Sequence, residues 1–175
     1  MTVHESSVNY QNLIRDLADM YPFEVAEVVV VELVANALDA GATTISIGYD
    51  PDSGMLTLTD NGNGMSTAQF DEYHDFAAGL KTRGESIGFA GVGAKISFNV
   101  ADRVVTETRS SSFEGASNWY LESKKRLVWE DVLPVHLHGT GTRVQVQFRS
   151  DAVPPYSTTG DLIRLLRRHY LPLFD

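Results

Sequence analysis

No cysteine occurs in the 175-residue chain, which excludes disulfide frameworks, thiolate zinc sites and cysteine nucleophiles. Long hydrophobic runs are missing as well. The longest, around Val28 to Leu38, is broken by Glu32 and Asn36 and is too short to span a bilayer. Basic residues are scarce, 14 against 23 acidic ones, giving a net charge of -9. This argues against a nucleic-acid or membrane surface dominating the domain. It does not forbid an anionic ligand, since a few backbone N–H groups and one lysine set a local field. The opening "MTVHESSVNYQNLIRD" has no basic segment followed by an apolar one, so it does not read as a signal peptide. A cytoplasmic location is the expectation, with no membrane partner. No internal repeat, low-complexity block or interdomain linker is visible, and the length suits one domain, residues 1–175, with its own core.

What is present is a run of elements of both kinds. "SSVNYQNLIRDLADMY" has the spacing of an amphipathic helix, with Ser6 or Ser7 as its N-cap. Pro22 suits the first turn of a second helix, which would reach about Ala40 and stop at Gly41. "TTISIGYD" and "MLTLTD" flank "PDSG" as a β-hairpin. "STAQFDEYHDFAAGL" reads as a helix capped by Ser66, "KTRGESIGFAGVG" as an irregular glycine-rich stretch, and "VGAKISFNVA" as a short helix. "RVVTETR", "SNWYLES", "RLVWEDV" and "TRVQVQF" read as strands, and "TGDLIRLLRRHYLPL" as a closing helix. This order predicts an α+β sandwich, with helices on one face of a largely antiparallel sheet.

The second helix poses the functional question. Its segment "ELVANALDAGATTISI" is apolar on nearly every face, as a buried helix is. Yet Glu32, Asn36 and Asp39 fall within roughly 60° of one another on the helical wheel. Buried polar groups cost free energy unless something pairs with them. Either the three satisfy one another in the core, with Asp39 serving the helix end, or the stripe lines a cavity and holds a ligand. Two carboxylates and an amide on one stripe favour the cavity. The chemistry suits a metal–nucleotide site. An amide oxygen is a hard neutral ligand for Mg²⁺, and a glutamate one turn away can take a proton from a water aimed at phosphate.

Two glycine-rich stretches add to this. In "MLTLTDNGNGM", Asp60 ends a strand and is followed by Gly62 and Gly64. A carboxylate there can accept a hydrogen bond from the exocyclic amine of adenine, and glycines let backbone approach a flat ring. The alternative is an ordinary turn after a strand. "GFAGVGAKIS" sets Gly88, Gly91 and Gly93 before a short helix, a ready anion site or a simple connector. Lys81 and Lys95 could add positive charge, and the stretch from Leu80 to Gly93 is long enough for a lid.

In this order the pieces resemble the GHKL ATPase superfamily of gyrase-type topoisomerases, large heat-shock chaperones, sensor histidine kinases and MutL. "ELVANALDAGA" resembles its N-box, "DNGNGM" and "GFAGVGAKIS" its two glycine boxes, and "GTGTRVQVQF" its last motif. The N-box is especially similar to that of MutL, and "YPFEVAEVVVVELVANALDAGA" with "AAGLKTR" resembles the MORC group. The resemblance implies the Bergerat fold, a two-layer sandwich with ATP held between helices and sheet beneath a lid. By position it implies Glu32 as general base and Asn36 as Mg²⁺ ligand, with Asp39 and Ala40 near the nucleotide. It implies Asp60 as adenine reader, supported by Gly62, Gly64 and Met65. Gly88, Gly91, Val92 and Gly93 match the lid backbone around the phosphates. Thr142 matches the threonine that hydrogen-bonds around the adenine, and Lys81 and Lys95 are candidate phosphate contacts.

MutL, gyrase and the heat-shock chaperones take a further basic residue for the γ-phosphate from a following domain, and this chain stops at "LPLFD". Nor does a phosphoacceptor helix of the kind a histidine kinase needs precede the N-box. The five histidines read as surface or packing residues, and "HLHG" as a strand with no third zinc ligand nearby. Ser110 to Ser112 read as a loop, and Phe113, Trp119, Tyr120 and Trp129 as sheet-core aromatics. Arg164, Arg167 and Arg168 read as a solvated helix face, or one that docks a partner. The expectation is an Mg²⁺-dependent ATPase domain, slow in isolation. ATP would close its lid and drive homodimerisation or domain movement, with protein or DNA clients engaged through attached domains. The second possibility is an ATP/ADP-sensing module that does not hydrolyse.

Overall fold

The structure, a computed structural model, describes residues 3, 6–76 and 92–171. Helix α1 (Tyr10–Ala18) is capped by Asn9, whose side chain accepts from Asn12 N. The cap is therefore Asn9 and not Ser6 or Ser7. Asparagine is among the strongest N-caps, and here it stands directly before the first turn. Helix α2 (Val25–Asp39) begins three residues after Pro22, with Glu24 at its N-cap, and ends before Gly41, whose φ of 73° turns the chain into the sheet.

Strands β1 (Ile45–Asp50) and β2 (Met55–Asp60) form the expected hairpin, in a register that sets Ile45 opposite Asp60. Helix α3 (Thr67–His74) opens on a full capping box between Ser66 and Gln69. It stops at Asp75, earlier than the sequence reading placed its end. Helix α4 (Val92–Ser97) leads into β3 (Ala101–Arg109), β4 (Glu114–Ser123), β5 (Arg126–Asp131) and β6 (Gly141–Phe148), and α5 (Thr159–Tyr170) closes the fold. Ser110 to Ser112 form the β3–β4 connection, as expected.

The six strands lie in the order β1-β2-β6-β3-β4-β5, and every pairing is antiparallel. Because β6 slots between β2 and β3, the end of the early hairpin meets residues from eighty positions later. Leu56, Leu58, Val104, Trp119, Val144, Val146 and Phe148 form a buried layer with Val29, Val30, Leu33, Val34 and Ala37 of α2. At roughly 1.5–3 kcal/mol for each fully buried aliphatic side chain, this contact is the main source of cohesion. Among the described residues no helix is long and apolar enough to cross a membrane.

The far face of the sheet holds one feature absent from the sequence reading. Glu107 on β3 is 2% exposed and accepts from the backbone N–H groups of His136 (2.8 Å) and Leu137 (3.1 Å). It also pairs with His136 Nδ1 at 2.7 Å and Arg143 Nη1 at 3.3 Å. Burial pushes the Glu107 carboxyl up, but these hydrogen bonds outweigh it and hold the group below its ordinary range. This clamp explains why "HLHG" is an irregular segment laid over the sheet and not a strand, since two of its N–H groups are spent on a side chain. The aromatics also divide. Trp119 is core, while Trp129 on edge strand β5 is 38% exposed.

Candidate functional site

Asp60 ends β2 directly opposite Thr142 of β6, and Thr142 stands opposite Thr108 of β3. Three neighbouring strands thus set an Asp–Thr–Thr row facing the helices. Asp60 is buried at 6% exposure, and its Oδ1 accepts from Gly62 N at 2.8 Å and Thr142 N at 3.3 Å. Both hydrogen bonds end on the same oxygen, so Oδ2 keeps its acceptor capacity. Burial raises the Asp60 pKa, against the lowering pull of the two N–H donors. Thr108 Oγ1 accepts from Met65 N at 2.8 Å and lies 3.4 Å from Thr142 Oγ1. Thr108 has no signal in the sequence beyond its place in a strand.

The loop after Asp60 is stitched to the end of α2. Asn61 Oδ1 accepts from Thr43 N and Thr44 N, at 2.9 and 2.8 Å. Asn63 N donates to Ala40 O at 2.9 Å. Gly64 has φ of 66°, and a β-carbon there would meet Arg109 O at 2.1 Å, so no other residue fits. In this way Ala40, Gly62, Gly64 and Met65 are brought beside Asp60.

On α2, Glu32 is buried, Asn36 half-buried and Asp39 exposed. The Tyr21 hydroxyl donates to Glu32 Oε1 at 3.2 Å. The Asn36 carboxamide makes no hydrogen bond among the described residues, although its neighbours on the helix are core. Asp39 sits at the C-terminal turn, where the helix dipole disfavours a carboxylate, so helix stability does not account for it. Tyr170 at the end of α5 donates to Val31 O at 2.6 Å. Its pKa is pushed up to about 12, first by burial and then by the charges of Glu32 and Asp39. Tyr21 and Tyr170 were given no role in the sequence reading, because each reaches α2 from a part of the chain outside that helix.

Helix α4 supplies the opposite wall. A β-carbon on Gly93 would meet the Cβ of Glu32 at 2.7 Å, so the two helices touch at the polar stripe. Lys95 departs from expectation. It is 1% exposed, its Nζ donates to Asp75 O at 2.6 Å, and it lies 5.8 Å from the Phe76 ring centroid. Burial lowers its pKa to about 8. The amine is thus engaged by the end of α3. Lys81, Gly88 and Gly91 lie outside the described residues, as does the side chain of Val92.

The arginines of α5 likewise differ from a plain solvated face. Arg168 Nη2 and His169 Nε2 meet the buried Glu27 of α2 at 2.5 and 2.6 Å, and Arg164 pairs with Asp161. A cavity of about 500 Å³ opens beside these pairs, lined by Pro22, Phe23, Glu24, Glu27, Arg164 and Arg168 among others. It includes none of the residues of the polar stripe or of the Asp–Thr–Thr row.

A six-stranded antiparallel sheet with α2 across it, a strand-end aspartate and a carboxylate–carboxamide stripe define a GHKL-type ATPase domain of Bergerat fold. The chain belongs to the family described as histidine kinase-, DNA gyrase B-, and HSP90-like ATPase, which it matches over residues 23–144. It is 29% identical over 148 residues to heat shock protein 90-5, chloroplastic, of Arabidopsis thaliana, covering 75% of this chain and 19% of that one. It is 34% identical over 124 residues to the chaperone protein HtpG of Mesorhizobium japonicum, covering 62% and 19%. HtpG of Nitrosococcus oceani is 28% identical over 183 residues, covering 78% and 29%. The chain therefore spans about a fifth to three-tenths of the length of these relatives.

Proposed function

We propose that this domain binds ATP with Mg²⁺ between α2, α4 and the β2–β6–β3 strand ends, and hydrolyses it slowly. The observation that carries the reading is the half-buried Asn36 carboxamide, without a hydrogen bond among the described residues and one turn from the buried Glu32. A core network would have satisfied it. An amide oxygen with room for waters and phosphate oxygens fits Mg²⁺, which when bound would spread the charge of the reacting phosphate.

The residues then take distinct roles. Asp60 offers Oδ2 to the exocyclic amine of adenine, while Thr142 and Thr108 hold the polar row level with it. Glu32, oriented by Tyr21, takes a proton from water as the water oxygen bonds to the γ-phosphorus. The bond to the bridging oxygen breaks and ADP leaves. Gly93 lets α4 approach closely enough to wall off that water. Lid closure over the nucleotide and nucleotide-driven homodimerisation extend this reading, as do a cytoplasmic location and clients engaged through other domains. The closeness of the N-box to MutL and MORC rests on its sequence motif, whereas the curated relatives are chaperones by name.

Isothermal calorimetry with ATP and Mg²⁺ tests binding, and phosphate release by wild type and Glu32→Ala tests hydrolysis. Equal turnover by the two would overturn the base assignment. A second reading, an ATP/ADP sensor without useful hydrolysis, is favoured by the engagement of Lys95 with Asp75 O. With that amine committed, stable binding of ATP with no phosphate release would select the sensor.

A further inference from the structure

Strand β5 is an edge. Among the described residues it pairs only with β4, and its other side presents unpaired backbone donors and acceptors. The sequence from its turn to its end is Lys125-Arg126-Leu127-Val128-Trp129-Glu130-Asp131, two cations, three apolar residues and two anions. That order is its own complement when reversed. In an antiparallel pairing of two copies centred on Val128, Lys125 meets Asp131 of the second copy and Arg126 meets its Glu130. Leu127 meets Trp129, and Val128 meets Val128.

The faces agree with this register. Side chains alternate along a strand, so Arg126, Val128 and Glu130 share the outer face while Leu127 and Trp129 share the helix-side face. Both apolar pairs and both charge pairs would therefore meet on the correct side. Arg126 and Glu130 are also already extended in place, through Arg126 to Glu122 (2.8 Å) and Asn118 to Glu130 (2.9 Å). Trp129 is stacked at 4.0 Å on the buried His74, with 38% of its surface left open at the edge.

We propose that β5 is a homodimerisation edge, joining two six-stranded sheets across a two-fold axis at Val128. Charge on an edge strand commonly serves to prevent pairing. Here opposite signs at opposite ends prevent only the wrong pairings. A parallel, in-register alignment sets like charge on like, and a two-residue antiparallel slip leaves Arg126 against an aliphatic residue. The contact is isologous, so the Lys125–Asp131, Arg126–Glu130 and Leu127–Trp129 pairs each occur twice, and Val128 meets its own copy once on the axis. It involves one short strand per copy, so the dimer is a weak one, with a Kd on the order of tens of micromolar. It does not depend on nucleotide, since none of its residues belongs to the candidate site.

Sedimentation velocity of the 175-residue chain from about 1 to about 200 μM, without nucleotide, tests this. Wild type is expected to pass from monomer to dimer over that range. Arg126→Glu alone, and Glu130→Arg alone, are each expected to stay monomeric, with circular dichroism unchanged. The doubly substituted Arg126→Glu/Glu130→Arg chain regains the dimer, although its Glu122 contact is not restored. Asp60→Asn, which removes the adenine contact, should dimerise as wild type does, so the two readings fail separately. A wild type that stays monomeric overturns the proposal. So does a dimer indifferent to the single reversals, a double variant that is not rescued, or a monomer whose β5 amides are already protected from hydrogen exchange.

Discussion

Gly93 of α4 lies so close to Glu32 of α2 that a β-carbon on it would stand 2.7 Å from the glutamate's own Cβ. The absent side chain is thus part of the candidate site, because the separation of the two helices is set at the residue proposed to activate water. Gly93→Ala would push α4 outward. Overpacking at such a contact costs about 1–3 kcal/mol, and a reacting water displaced by even a fraction of an ångström loses its geometry. Thermal melting should show the loss of stability, and phosphate release should fall by about ten-fold or more while ATP is still bound.

Asp60→Asn separates recognition from stability. Loss of the proposed charge-assisted hydrogen bond to adenine should weaken ATP about 10- to 100-fold by calorimetry. The same change should stabilise the nucleotide-free protein at neutral pH. Burial raises the Asp60 pKa, so the folded state favours the protonated carboxyl. Stability from this group is therefore full below the unfolded pKa and is lost as pH rises through the folded one. A wild-type melting profile that falls across this window, and an Asp60→Asn profile flatter there, are the expected outcomes.

Tyr21→Phe removes one hydroxyl donor from Glu32 and leaves the ring. Turnover is expected to fall about three- to ten-fold with ATP affinity unchanged, because on the proposed reading the tyrosine orients the base and does not touch substrate. Glu32→Gln should abolish hydrolysis outright while keeping affinity. If Tyr21→Phe were to change affinity and leave turnover alone, its role would be packing.

His74 predicts an acid limit. Its Nδ1 lies 2.7 Å from Phe70 O and its Nε2 2.8 Å from Ser117 Oγ, and burial lowers its pKa. The Phe70 carbonyl assigns the proton to Nδ1, so the neutral ring fits. A lowered folded pKa means that the unfolded chain takes up the proton first. Stability is therefore lost as pH falls below about 6.5, at about 1.4 kcal/mol for each unit of lowering. His74→Gln should be less stable at neutral pH, yet flatter between pH 6.5 and 5 in chemical denaturation.

The order of elements and the site motifs were legible because both are local. Alternation in "MLTLTD", the Ser66–Gln69 cap and the apolar faces of α2 act within a few residues of themselves. Assembly was not legible. Thr108 gains a role only because β6 enters between β2 and β3, which no periodicity announces. Tyr21 reaches Glu32, and Tyr170 reaches Val31 O, from parts of the chain outside α2. The Glu107 clamp turned an alternating "HLHG" into a covering loop, since side-chain acceptance of backbone N–H groups leaves no trace in residue spacing. The engagement of Lys95 with Asp75 O was not legible for a related reason. A lysine beside glycines reads as a candidate phosphate contact, and no residue spacing announces that the end of α3 offers its amine a carbonyl.

The grip of α5 on α2 has a mechanical corollary. Held along one flank by Arg168 and His169 on its Glu27, by Tyr170 on Val31 O and, from the segment before α5, by the Tyr156 hydroxyl on Ala26 O at 3.1 Å, α2 has little freedom to roll about its axis. It behaves as the anvil of the domain. On the proposed reading, any stroke that nucleotide sets off is delivered from the Gly93 side, with Glu32 and Asn36 as the stationary surface struck.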